Sequence, residues 1–120
     1  MDGFTKAFIE ALFFTESDTD NLGDAGINEI STELMTRITQ ECLTFQSQAD
    51  GLIVGENCHY KGCLTAEYAG HDFWLTRNGH GCGYTDGDWA EPAATKLYEL
   101  SKSFGMMEVY LGDDGKVYSM

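Results

Sequence analysis

Basic side chains are scarce in this chain. Seven Lys and Arg face 20 Asp and Glu over 120 residues, a formal charge of −13 with a pI near 4.3. Direct binding to DNA or RNA is not expected on that ground, because phosphate contacts draw on clustered cations. Long apolar runs are missing as well: no window reaches the roughly 18 apolar residues of a membrane span. The start, Met-Asp-Gly-Phe-Thr-Lys-Ala-Phe, has no basic leader region, and Glu10 interrupts its apolar stretch, so secretion is not expected. The four cysteines (Cys42, Cys58, Cys63, Cys82) therefore read as reduced thiols of a cytosolic protein. Three catalytic signatures are absent too: Gly-x-Ser-x-Gly, His-Glu-x-x-His and a phosphate-binding glycine loop.

What is present suits a single globular domain spanning 1–120 with one modest core: 42% hydrophobic and 12% aromatic residues. Residues 1–60 hold eleven of the acidic residues and only two of the basic ones. An electrostatic docking surface should thus draw mainly on the first half and favour a partner with a basic face.

Phe4, Ala7, Phe8, Ala11 and Leu12 recur at helical spacing, predicting a helix over about 2–14 with one buried stripe. An acidic linker follows over 15–30. Within it, Asp18-Thr-Asp20-Asn-Leu22-Gly23-Asp24 with Glu29 imitates a calcium loop, but Leu22 stands where an oxygen ligand is required. Asn28 or Ser31 can cap a second helix whose stripe is Leu34, Ile38, Cys42 and Phe45, ending near Gln48. Residues 49–70 carry the weakest signal, with Leu64 to Tyr68 read as a strand.

The stretch His71–Tyr84 organises the expectation. Alternating strand-forming residues break at Asn78-Gly79 and resume, a strong hairpin signal. A two-residue loop sets Arg77 opposite His80, Leu75 opposite Cys82 and Phe73 opposite Tyr84, with Trp74 over a glycine strand on the other face. Thr85–Trp89 is then a turn and Pro92 opens a helix carrying Ala93, Leu97, Leu100 and Phe104, which Gly105 stops. Met107–Leu111 and Lys116–Ser119 form a second hairpin about Asp114-Gly115, with Leu111 against Tyr118. The fold class is α+β: two N-terminal helices, then hairpin–helix–hairpin, a small antiparallel sheet packed on helices.

Three kinds of chemistry can be drawn from these residues. Cys58, His59 and Cys63, with His71, His80 and Cys82 downstream, supply nitrogen and sulfur for zinc, but the spacing matches no tetrahedral pattern, so neither metal nor cofactor is expected. His71-Asp72 and His80 with Cys82 offer a base and a nucleophile, yet nothing supplies an oxyanion site, so no enzyme is expected. A recognition face is the remaining candidate: Asp72, Trp74 and Thr76, with Arg77 and His80 at the hairpin tip and Asp86, Asp88 and Trp89 nearby. A helix covering Trp74 would make it plain core instead.

The run Gly70-His-Asp-Phe-Trp-Leu-Thr-Arg-Asn-Gly-His, with Val109-Tyr-Leu-Gly-Asp-Asp-Gly-Lys-Val-Tyr118, resembles a family of small acidic proteins of tailed bacteriophages. The similarity is dense from Gly70 to Tyr118 and looser over the first two helices. Relatives often carry Ala-Gly-Phe-Trp where this chain has Cys82-Gly83-Tyr84-Thr85. No activity is assigned to the family, so the resemblance implies no catalytic residue. It implies a phage accessory protein, acting in the host cytoplasm, that binds and inhibits or redirects a host protein such as a defence or nucleic-acid-processing factor. Its acidic surface would compete with DNA for a basic groove. A small zinc module or a virion accessory protein is the alternative.

Overall fold

A computed structural model describes residues 1–17, 22–81 and 83–120. The chain is α+β, with four α-helices and a two-stranded antiparallel sheet among the described residues. Helix α1 (Gly3–Ser17) is capped by Asp2, whose Oδ1 accepts from the Thr5 N–H at 2.8 Å, and its Phe4, Phe8, Ala11 and Leu12 are buried. Helix α2 (Thr32–Gln48) starts at Ser31, whose Oγ accepts from the Leu34 N–H at 3.1 Å, and buries the expected stripe of Leu34, Ile38, Cys42 and Phe45. The expected linker is shorter than 15–30, because α1 runs on to Ser17 and Ile27–Glu29 forms a single 3₁₀ turn. Asp18 and Asp20 of the calcium-like loop lie outside the described residues. Leu22, where that pattern fails, is a core residue at 1% exposure.

The expected first hairpin is not formed. Thr65–Arg77 is helix α3, and the strand expected at Leu64 to Tyr68 is its beginning. Asn78-Gly79 ends this helix instead of turning a hairpin. Gly79 takes φ +71°, its N–H bonds to the Thr76 carbonyl (3.3 Å) and the His80 N–H bonds to the Leu75 carbonyl (3.0 Å). Those two bonds make the Schellman helix stop. The Asn-Gly pair was ambiguous for a physical reason: a type I′ hairpin and a helix stop both need a left-handed residue, which glycine adopts without strain.

Helix α3 lies against α1, and its Gly70 makes that approach close. A Cβ at Gly70 would stand 2.0 Å from the Phe4 carbonyl oxygen. Phe4, Phe8, Phe45, Phe73, Tyr84 and Phe104 form one aromatic centre, tightest at Phe45–Phe73 with centroids 4.1 Å apart. Full burial of each such side chain is worth about 1.5–3 kcal/mol. Helix α4 (Ala93–Ser103) buries Ala93, Ala94 and Leu97 and stops before Gly105, as its spacing predicts.

Strands β1 (Val109–Leu111) and β2 (Val117–Ser119) form the second hairpin, with a register one residue away from that expected. Leu111 pairs with Val117 and Tyr110 with Tyr118. The loop holds three residues, Asp113–Gly115, because the Gly112 N–H reaches the Lys116 carbonyl (2.7 Å) and the Gly115 N–H the Gly112 carbonyl (3.0 Å). A slip of one residue exchanges the faces of a strand, which here buries Val109 and Val117. The hairpin is moored to α2 by the Ser31 N–H on the Val117 carbonyl and by Arg37 Nη1 on Ser119 Oγ.

Candidate functional site

The residues expected on one exposed face do not share one. Asp72, Trp74, Thr76, Arg77 and Trp89 are buried, and internal partners occupy their polar groups. Trp74 packs edge-on against Phe8 (5.4 Å), and its Nε1–H donates to Thr15 Oγ1 at 2.8 Å. Thr76 Oγ1 accepts from the Tyr84 N–H at 3.0 Å. Arg77 donates to the Phe104 and Gly105 carbonyls, caps the ring of Phe73 at 5.0 Å, and pairs with Glu41 at 2.8 Å. Burial lowers the Arg77 pKa and Glu41 opposes the shift, and a guanidinium stays protonated at any relevant pH. Helix packing, not pairing of strands, is the reason: an α3 buried on nearly all sides has no recognition face at its C-terminal end.

His80 and Asp86 are exposed, and Asp88 is half-buried with its Oδ2 accepting from the Tyr68 hydroxyl at 2.5 Å. Of the zinc candidates, Cys58 is buried and Cys63 exposed, while Cys82 lies outside the described residues. Among the described residues no three His, Cys, Asp or Glu side chains are gathered as a metal site.

A different site forms at the other end of α3. Its N-terminal half and the facing side of α1 enclose a cleft of about 320 Å³, whose walls are Lys6 and Glu10 on α1 and Glu67, Tyr68 and His71 on α3. Tyr60 and Cys63 complete it from the loop between α2 and α3. That loop is held by a two-bond bridge: the His59 N–H on the Asp88 carbonyl and the Ala90 N–H on the Asn57 carbonyl, both 2.7 Å. The bridge brings Tyr60 onto Tyr68, with centroids 4.4 Å apart and planes 19° from parallel. His71 continues the ladder at 5.8 Å and 15°.

A buried polar relay stands behind the ladder. His71 Nδ1 lies 3.0 Å from Asp72 Oδ1, and Asp72 Oδ2 accepts from Trp89 Nε1–H at 2.8 Å. Asp72 is 1% exposed, and His71 opens to the cleft at 42%. Burial pushes the Asp72 carboxyl above its ordinary value, against the pull of its His71 and Trp89 hydrogen bonds. An ionised Asp72 takes the Nδ1–H of neutral His71, leaving Nε2 as a bare acceptor. Burial also pushes the Cys63 thiol up, with Glu67, Cys58 and Asp72 adding to the shift. That thiol is kept protonated and is a poor nucleophile. The cleft thus presents stacked rings, two carboxylates and a histidine oriented by a buried carboxylate.

Sequence reasoning singled out His71 and Asp72 and missed Tyr60, Tyr68, Glu67, Lys6 and Glu10. Only Lys6 and Glu10 left a trace, as the polar side of an amphipathic helix. The Tyr60–Tyr68 stack depends on a loop bridge that no local pattern encodes.

Comparison with known proteins gives no match to a family model, to a curated protein or to a solved structure.

Proposed function

We propose that this protein works by binding, not catalysis: it docks on the basic face of another protein. The expected setting is the cytoplasm of an infected host, with the chain as a phage accessory protein that blocks or redirects a host factor. One observation carries the reading. Both arginines turn onto the same carboxylate, Glu41, with Arg37 Nε at 2.7 Å and Arg77 Nη1 at 2.8 Å. The remaining 19 carboxylates therefore face only five lysines, and the field outside the molecule is strongly negative.

The body is about 44 Å long and 25 Å across. A duplex of that length carries about 26 charges, at one per ~1.7 Å of axis. The chain offers half that density, enough to compete for a DNA-binding groove at moderate salt. Affinity from such a surface is screened within about 8 Å at physiological ionic strength. Capture from host lysate, washed in rising salt or with added duplex DNA, tests the reading. A nucleic-acid-binding protein released by both treatments is expected. A partner retained at high salt and indifferent to DNA would contradict it.

A further inference from the structure

We propose that the cleft between α1 and α3 is a guanidinium site that takes one arginine side chain of the basic partner. The inference rests on the docking reading above and assigns its anchoring point. Four features of the lining converge on this ligand.

Size is the first. At about 320 Å³ the cleft sits at the bottom of the ~300–1,000 Å³ range of small-molecule pockets, so it holds a side chain better than a large cofactor. Charge is the second. Glu10 and Glu67 line the opening against one cation, Lys6, and Asp72 and Asp88 stand behind the rings, so anions are repelled.

Hydrogen-bonding sense is the third. His71 Nδ1 lies 3.0 Å from Asp72 Oδ1, and in the tautomer that donates its proton to the Asp72 carboxylate the Nε2 atom is left as an acceptor. The Tyr68 hydroxyl gives its proton to Asp88, which leaves that ring more electron-rich. Together with the two carboxylates, these groups favour a donor with no acceptor of its own. Guanidinium, with five N–H groups and none to accept, fits that description. Shape is the fourth. Tyr60, Tyr68 and His71 form near-parallel plates, and a planar guanidinium extends such a ladder, whereas a compact, strongly hydrated ammonium does not.

The test uses the whole ¹⁵N-labelled chain and capped single residues as probes. N-acetyl-arginine methylamide should shift the amides of Tyr60, Cys63, Tyr68 and His71. Its neutral isostere, N-acetyl-citrulline methylamide, should bind about tenfold more weakly or worse, the size of a partly desolvated cation–π contact. Tyr60 is 43% exposed, so Tyr60→Ala leaves the core intact and should weaken the arginine probe by a similar factor. Glu10→Gln should weaken it about threefold, as loss of one exposed charge does. Equal binding of citrulline, shifts spread over the whole acidic surface, or no shift at all would overturn the assignment. So would tenfold tighter binding of free L-arginine, which would mark a metabolite site. Failure here leaves salt-dependent docking standing, and failure of docking leaves the probe result unaffected.

Discussion

From Thr65 to His71, helix α3 borders an open cleft; from Asp72 to Arg77 every side chain is buried. The two halves use similar residues, a carboxylate, an aromatic ring and a basic group in each, and the surroundings decide what those residues do. In the sealed half Arg77 spends its donors on the α4 stop and on Glu41, and Trp74 spends its N–H on Thr15. In the open half Glu67, Tyr68 and His71 meet an unfilled space. Residue type alone therefore does not mark a recognition face; what packing leaves open decides it. Tyr68 and His71 keep ring surface toward the cleft although Asp88 and Asp72 hold one polar atom of each.

Substitutions should separate the halves, with the largest effect in the sealed one. Arg77→Ala strips Glu41 of one partner and the α4 carbonyls of theirs. Losing those hydrogen bonds together with the packing of a fully buried side chain costs about 2–5 kcal/mol, read as a lower urea midpoint. Gly70→Ala comes next, since a methyl 2.0 Å from the Phe4 carbonyl must prise α1 from α3. Overpacking of that kind costs about 1–3 kcal/mol, and a Gly70→Ala chain as stable as the parent would contradict the close approach.

Asp72 sits at the boundary between the halves. Its carboxyl is pushed up by burial, so the folded chain holds that proton more tightly than the unfolded one. The stability tied to this group is present below the ordinary carboxylate value of 3.8 and is lost as pH rises through the folded value. Asp72→Asn imitates the protonated form. It should match the parent near pH 3.5 and be equal or more stable at pH 7, whereas Asp72→Ala should lose about 1–3 kcal/mol by orphaning Trp89 Nε1. The smallest effect belongs to the open half: Tyr60→Ala should move stability by no more than about 0.5 kcal/mol while weakening the arginine response about tenfold.

Much of this fold was legible from spacing. Helices α1, α2 and α4 follow because each buries one stripe and exposes the rest, which leaves a 3.6-residue period in the sequence. Helix α3 leaves none in its second half, because burial from Asp72 through Arg77 on every side erases the contrast between faces. Short apolar stretches of that sort read equally as strand, and the glycine after Asn78 reinforced the error. The hairpin of β1 and β2 was legible as a hairpin, but its register was not, since Asp114-Gly115 fits a two-residue loop as readily as the last two positions of a three-residue one. The cleft was illegible for a third reason. Its walls come from three separate segments, and the bridge at Cys58 and Trp89, distant in sequence, helps to set Tyr60 over Tyr68.

Amide and indole exchange measured together by NMR bear most directly on the division of α3. The account predicts helical contacts from residue i to i+3 through Thr65–Arg77, with the Trp74 indole proton exchanging slowly behind Thr15. Cross-strand contacts between Leu75 and Cys82, with a Trp74 indole proton open to solvent, would contradict it and return the recognition face to the residues on either side of Asn78-Gly79.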